Sequence, residues 1–531
     1  MKFVSNIINT KVLVAGLALT LSLTSCEKDL DRFPETEKTS VDVYQDFSNY
    51  KQVLSKLYAG LAVSGQEGGD GSADIGGIDG GASNYMRQYF QMQELPTDEA
   101  VIAWQDGNLP DIHNMTWGAN NEFITAMYYR VMYQVALTNE FIRETTDEKL
   151  ASRGITGTQA EEAVLYRNEA RFLRALSYAH AIDLFGNVPF VTEKDPVGSF
   201  LPPQISRAEL FKYVETELLD LENLLKDART NEYGRADKGA VRMLLAKLYL
   251  NAQVYTGTSR YTDAVNYAEK VINSGYSLKS NYEGLFLADN HLNNPEVIYS
   301  INYDGIYTRT WGGTTYIIHA GIGGSMDKDQ YGVNGGWGGL RTTKNLVNLF
   351  PSTDGSSDIR GRFHTDGQEL EINNISVFTQ GYPYIKFKNV TSTGAAGSDT
   401  TGNFVDTDFP LFRLADAYLI YAEAVLRGGG GSSATALSYI NALRTRAKAD
   451  PISSTDLTLD FILDERAREL AWEATRRTDL IRFGKFTSGA YLWPFKGGVK
   501  DGRAVESYRV LYPIPSNDLI ANPNLKQNPG Y

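Results

Sequence analysis

Two of the six tryptophans in this 531-residue chain sit where nothing beside them in sequence can cover the ring, and a third lies beside amides and a carboxylate. Trp337 lies within Gly335-Gly336-Trp337-Gly338-Gly339, and Trp311 is followed by Gly312-Gly313. Trp104 leads into Gln105, Asp106 and Asn108, a short run of amides and a carboxylate. A flat indole can stack on the apolar C–H face of a sugar while amides and carboxylates bond its hydroxyls, and an apolar wall with a few placed polar groups is how small-molecule pockets are built. The opposing reading, that a long insertion folds on itself and buries these rings, is left open by the residues alone. Most of the 32 tyrosines read as helix-packing residues.

The acids allow a different chemistry to be weighed. A glycoside hydrolase needs two carboxylates facing each other across a sugar. The densest cluster, Asp464, Glu465, Glu469 and Glu473, runs at helical spacing beside Arg466, Arg468, Arg476 and Arg477, which predicts ion pairs along and between helices. Asp98, Glu99 and Asp106 lie closer to the tryptophans. His180 falls on the packed stripe of a helix with no second ligand at metal spacing, and reads as a core histidine. Gly68-Gly69-Asp70-Gly71 through Asp74 and Asp79 lacks the nonapeptide period of calcium-binding repeats. Asp354-Gly355-Ser356-Ser357-Asp358 lacks the glycine and closing glutamate of an EF-hand and reads as a turn. No cofactor is expected, and one calcium ion held by loop carbonyls is the single metal the pattern leaves open.

The elements that must position these residues are mostly helical. Between 159 and 186, Ala163, Tyr166, Ala170, Leu173, Ser177, His180 and Leu184 recur at three- and four-residue steps before Gly186, a long amphipathic helix stopped by glycine. Ser206 with Glu209 three residues on forms a capping box. Leu245-Ala246-Lys247-Leu248-Tyr249-Leu250 is echoed by Leu414-Ala415-Asp416-Ala417-Tyr418-Leu419. Each is followed by a helix with small residues at helical spacing, Ala264 and Ala268 in the first case, Ala434 and Asn441 in the second, as in tetratricopeptide-like pairs. An excursion rich in Gly, Asn, Thr and Ser, about 280–409, separates the two copies and holds strand-like runs at Val297 to Asn302 and Tyr384 to Phe387. The expected fold is dominated by α-helix, one domain over 41–531 whose long insertion carries the ligand site.

The chain begins with Lys2 and Lys11, an apolar stretch from Val12 to Leu23, and Leu23-Thr24-Ser25-Cys26. This is the layout of a secretory signal over 1–25, too short to remain as a membrane span. Cys26, the only cysteine, resembles the lipidated residue of a bacterial lipobox, with 26–40 as the tether. Residues 1–25 hold two lysines and no acid, so their removal takes the net charge from −13 to −15. Nucleic acid and anionic lipid surfaces are excluded as partners on that charge.

Several segments carry a family resemblance. Arg171-Phe172-Leu173-Arg174-Ala175-Leu176 with Leu184-Phe185-Gly186-Asn187-Val188-Pro189, Pro410 to Tyr418, Arg477 to Gly484, and the end from Tyr512-Pro513-Ile514-Pro515 to Tyr531 together resemble the SusD/RagB family of surface glycan-binding lipoproteins. The resemblance spans essentially the whole chain after Cys26. It implies tetratricopeptide-like helix pairs, no catalytic activity, a lipid anchor on the cell-surface side of the outer membrane, and partnership with a TonB-dependent barrel of the SusC type. Glu94 to Glu99 leading to Trp104-Gln105, the Gly-Gly-Thr-Thr-Tyr run after Trp311, and Asn334 to Trp337 resemble the starch-binding members. In these, three aromatic rings with an arginine and an asparagine cradle α-1,4-glucan. That arc carries over to Trp104, Trp311 and Trp337, with Arg87 and Asn108 as the polar pair and starch or malto-oligosaccharide as the implied ligand. Trp311 stands where a tyrosine is expected, and Asn108 is shifted by one residue from the expected place.

Overall fold

The computed structural model describes residues 40–198 and 200–531. The leader, Cys26 and the tether up to residue 39 lie outside the described residues. Two compact units are distinguished, Met1–Tyr50 and Lys51–Tyr531. In the described part of the first, a short helix Ser40–Val43 precedes Tyr44, whose ring meets Tyr50 edge-on at 5.2 Å.

The second unit is a row of helices, each lying against the next. Glu122–Glu144 packs on Thr158–Leu184, that helix on Arg207–Leu224, and Arg207–Leu224 on Lys238–Leu250, which meets Tyr261–Ile272. Tyr261–Ile272 then packs directly on Leu414–Leu426, which is flanked by Ser433–Arg446 and Leu459–Leu470. The helical row is therefore continuous in space although about 140 residues separate its two parts in sequence. The periodic segment expected over 159–186 forms the helix Thr158–Leu184, and Gly186 follows with φ +71°. Ser206 and Glu209 form the expected capping box. His180 is buried, bonded through Nδ1 to the Tyr85 hydroxyl at 2.8 Å and stacked on Tyr89 at 4.1 Å. Burial pulls its pKa down to about 3, so the ring stays neutral.

The small residues of the first helix pair, Ala264 and Ala268, are fully buried and allow the close approach of neighbouring helices. In the second pair Ala434 is exposed and Asn441 half-buried. The packed face of Ser433–Arg446 is instead Ala436, Ile440 and Leu443, two residues out of phase with the expectation.

The excursion is clasped at its ends. Val297–Ile301 pairs antiparallel with Phe409–Arg413, so the chain leaves and re-enters the helical row through one ladder. Among the described residues the strands form three two-stranded antiparallel sheets, the others being Val101–Ile102 with Leu340–Arg341 and Val188–Pro189 with Gln204–Ile205. The run Tyr384 to Phe387 is not a strand; only Tyr384 makes an isolated bridge, to Phe363. At Asp354 the carboxylate accepts from the Ser356 N–H at 2.9 Å, the expected turn.

A buried ion-pair network ties the excursion to the helices. Arg360 bonds Asp358, Glu465 and Glu469 at 2.7–3.0 Å, and Arg413 bonds Glu296, Glu469 and Glu473 at 2.6–3.0 Å. Lys386 reaches Glu473 at 2.6 Å, and Arg446 bonds Glu296 at 2.8 Å as well as Glu469. Glu465, Glu469 and Glu473 of the acidic cluster are thus engaged by cations from elsewhere in the sequence. Among the pairs expected within its own segment, Glu465 with Arg468 forms at 2.7 Å, whereas Arg466, Arg476 and Arg477 turn to Asp416, Asp98 and Asp183.

Candidate functional site

The helix Tyr85–Glu94 brings Arg87 to the site. Its N-cap is Asn84, whose Oδ1 accepts from the Arg87 N–H at 3.0 Å and also from the Gly313 N–H at 3.2 Å. One amide therefore joins the start of this helix to the turn that carries Trp311. The Arg87 guanidinium lies 4.5 Å from the centre of the Tyr316 ring and 5.8 Å from Trp104, a stacked cation–π position. It donates to the carbonyls of Gly81 and Trp311 at 3.1 and 3.4 Å, while its Nε is buried without a partner. Burial lowers its pKa below the ordinary arginine value, and Asp79 and Asp106 are among the groups opposing that shift.

Trp104 follows the strand Val101–Ile102 and is fixed against the glycine run around Trp337. The Ala103 N–H donates to the Gly339 carbonyl at 2.9 Å, and Trp104 Nε1 donates to the Trp337 carbonyl at 3.1 Å. A Cβ on Gly339 would fall 2.7 Å from the Trp104 ring, so glycine is what lets the two segments close. Trp337 is held from below by the helix Gly313–Ala320: its N–H donates to the His319 carbonyl at 2.7 Å, and its ring stacks on the His319 imidazole at 4.7 Å with planes 18° apart. Burial keeps His319 below the ordinary histidine pKa, so this support is a neutral ring.

The three tryptophans form one continuous aromatic surface with Trp337 in the middle. Its centroid lies 6.2 Å from Trp104 and 6.0 Å from Trp311, with interplanar angles of 41° and 56°. Each ring is half-buried. Trp311 rests on Phe404 at 4.5 Å and donates its Nε1 to Asp70 at 2.8 Å. The indole N–H groups of Trp104 and Trp311 are thus spent on the protein, so ring faces are what these residues could offer a ligand.

Arg87, Trp104 and Trp337 line a pocket of about 730 Å³ together with Asp79, Asp106 and Glu122. Trp311 adjoins it through Trp337 and does not itself line it. Asn108 stands apart: its Oδ1 accepts from the Glu122 N–H at 3.0 Å, and its carbonyl accepts from Asn121 Nδ2 at 2.9 Å, so it secures the start of the helix Glu122–Glu144. Of the loop acids read from the sequence as near the tryptophans, only Asp106 lines the pocket. Asp98 and Glu99 are buried, Asp98 in a two-bond pair with Arg476 at 2.7 Å and Glu99 accepting from the Trp472 N–H at 3.3 Å. Glu122 and His319 were not singled out from the sequence, while Asp79 was read only as part of the Gly-rich loop and Tyr316 only as the end of the run after Trp311. Tyr316 and His319, three residues apart on one helix face directly after Trp311, carried a readable signal.

The acids of the Gly-rich loop are engaged by the protein: Asp70 by Trp311, Asp74 by Lys56 at 2.8 Å, and Asp79 by the Gly81 N–H at 2.9 Å. Among the described residues no three His, Cys, Asp or Glu are placed to hold a metal ion, and no helix is long and apolar enough to cross a membrane.

Comparison with known proteins adds to this geometry. A family model described as the SusD family matches residues 367–531. The chain is 37% identical to the starch-binding protein SusD of Bacteroides thetaiotaomicron over 560 aligned positions, covering 97% of each protein. Its fold is similar to that of a SusD superfamily protein from Parabacteroides distasonis (TM-score 0.69, 22% identity, covering 93% of this chain and 100% of that one). It is similar also to surface glycan-binding protein A from Bacteroides thetaiotaomicron, solved in complex with laminarihexaose (TM-score 0.66, 20% identity, 91% and 99% covered). With identity at this level over nearly its whole length, the chain belongs to the SusD/RagB family.

Proposed function

We propose that this protein captures starch-derived α-1,4-glucan on the cell surface and hands oligosaccharide to a TonB-dependent outer-membrane barrel of the SusC type, without chemical turnover. Cys26 would carry the lipid that anchors it to the outer membrane. The observation that carries the sugar assignment is the tryptophan surface, three rings in tilted succession beside Arg87. Tilts of 41° and 56° between neighbouring rings suit a ligand that turns along the surface, as an α-1,4-glucan does. Rings held by backbone bonds and by His319 lose little freedom when sugar arrives. Affinity at one site is expected in the millimolar to micromolar range, about −4 to −8 kcal/mol, with a polymer spanning many anchored copies held by avidity. The 37% identity with a protein named for starch binding supports the same sugar here.

Calorimetric titration of the protein starting after Cys26 with maltoheptaose tests this reading, with laminarihexaose as the β-linked control. Saturable heat with the α-glucan alone, weakened about 30-fold (about 2 kcal/mol) in Trp337→Ala, is expected. Equal heat with both sugars, or heat with neither, would overturn the starch assignment.

Asp79, Asp106 and Glu122 lining the pocket favour one alternative, since carboxylates around a bound sugar are also what hydrolysis uses. In the binding reading they accept hydrogen bonds from sugar hydroxyls. Prolonged incubation with maltoheptaose should yield no shorter products; their appearance, lost in Asp106→Asn, would establish a glycosidase.

A further inference from the structure

A second cleft, of about 280 Å³, lies between the helix Ser48–Ala62, the turn at 232–235 and the strand Val297–Ile301. Three tyrosines line it, Tyr58, Tyr233 and Tyr299, together with Asn302 and Thr308. Tyr233 leaves 46% of its surface exposed, yet its hydroxyl is anchored on Asp408 at 2.8 Å, so the ring is fixed with a face free. Asn302 is oriented by the Ser300 hydroxyl, which donates to its Oδ1 at 2.7 Å. Gly234, at φ +78°, lets the turn close over that amide: a Cβ there would come 2.2 Å from Asn302 Nδ2. At the floor Tyr299 is 2% exposed, and its hydroxyl is buried without a partner.

The charges at the cleft balance. Lys51 pairs with Glu232 at the rim at 2.9 Å, and Arg235 is bonded to Glu169. A net charge would be repelled from neither side nor drawn to either, so the cleft suits a neutral ligand. Its volume falls at the lower limit of small-molecule pockets, about 300 Å³, enough for one or two rings and too small for a polymer segment. A fixed aromatic ring and an oriented amide are the stacking surface and the hydrogen-bonding group of a sugar site. We propose that this cleft is a second carbohydrate site, independent of the tryptophan surface, that takes a neutral hexopyranose unit, free or at the end of a short oligosaccharide. Thr308 on its wall lies three residues before Trp311, so a single segment of the excursion borders both sites.

Maltose followed by saturation-transfer NMR, on protein carrying Trp337→Ala to weaken the main surface, tests the proposal. Transfer to the sugar protons should persist in that background. Adding Tyr233→Ala should remove most of it, and adding Asn302→Ala should weaken maltose about tenfold. No transfer in the Trp337→Ala protein, or transfer indifferent to both added changes, would overturn it. Because neither added change touches the tryptophan surface, the result stands whether or not maltoheptaose binds there.

Discussion

The buried network at the junction and the tryptophan surface both gather polar groups, and they treat them in opposite ways. At the junction Arg360 and Arg413 are each met by three carboxylates and sealed from water. At the tryptophan surface Arg87 has no carboxylate within bonding distance: it stacks on Tyr316 and Trp104 and leaves its Nε unpartnered. A charge fully met by its own protein has nothing left to offer a ligand. One held by ring faces and carbonyls keeps a donor in reserve, whereas the acids at the excursion's anchor are spent on Arg360 and Arg413.

The sharpest way to break this contrast is at Glu469. Glu469→Ala strips partners from Arg360, Arg413 and Arg446 at once, and removing one side of a buried pair costs about 3–5 kcal/mol. Denaturant unfolding should show that loss; a change under about 1 kcal/mol would mean water already reaches the network. Arg87→Lys keeps the charge but loses the planar stack. It should weaken maltoheptaose about tenfold, about 1.4 kcal/mol, in calorimetry, while unfolding free energy moves by less than about 1 kcal/mol.

Asn108 sharpens the line between the two kinds of role. Losing its bond to the Glu122 N–H should cost about 1 kcal/mol of stability in Asn108→Ala and leave sugar affinity near wild type. A larger fall in affinity than in stability would return Asn108 to the ligand. The smallest effect is expected from Glu94, at the end of the helix that bears Arg87. Burial pushes its carboxyl up to about 7 from an ordinary 4.5. The folded state therefore holds a proton that the unfolded state has released, and stability falls as pH rises from about 4.5 through 7. Glu465 runs the other way: burial raises it, but Arg360, Arg468 and Arg444 outweigh burial and hold it at about 2, so its contribution is present above 4.5 and lost as pH falls toward 2. Thermal melts should show Glu94→Gln more stable than the parent at pH 8 and equal to it at pH 4.

The sequence conveyed what depends on local periodicity and little of what depends on partners. The stripe from Ala163 to Leu184 and the Ser206–Glu209 box were readable because a helix writes its own pattern. The glycines around Trp337 were readable as exposure, yet one physical reason for them is different: Gly339 is small so that the Trp104 ring can lie against it. That reason is tertiary, as are the partners of Glu465, Glu469 and Glu473, which come from residues up to 109 positions away. Asn108 looked like a ligand group because an amide beside a tryptophan fits either role, and only the position of the Glu122 N–H decides between them. The phase of Ser433–Arg446 was misread because Ala434 and Ala436 differ by half a turn and composition does not choose between them.

The ladder between Val297–Ile301 and Phe409–Arg413 has a consequence for how such a protein can change. It fixes the two ends of the excursion at one strand spacing, so the helices beyond receive the same boundary as long as Arg360 and Lys386 keep their carboxylate partners. Lengthening a loop whose ends are already joined costs only about 0.6 kcal/mol per doubling. Aromatic residues in the interval can therefore be moved, added or lost with the helical row as bystander, and a lineage can acquire appetite for a new polysaccharide by rewriting one bracketed passage of its gene.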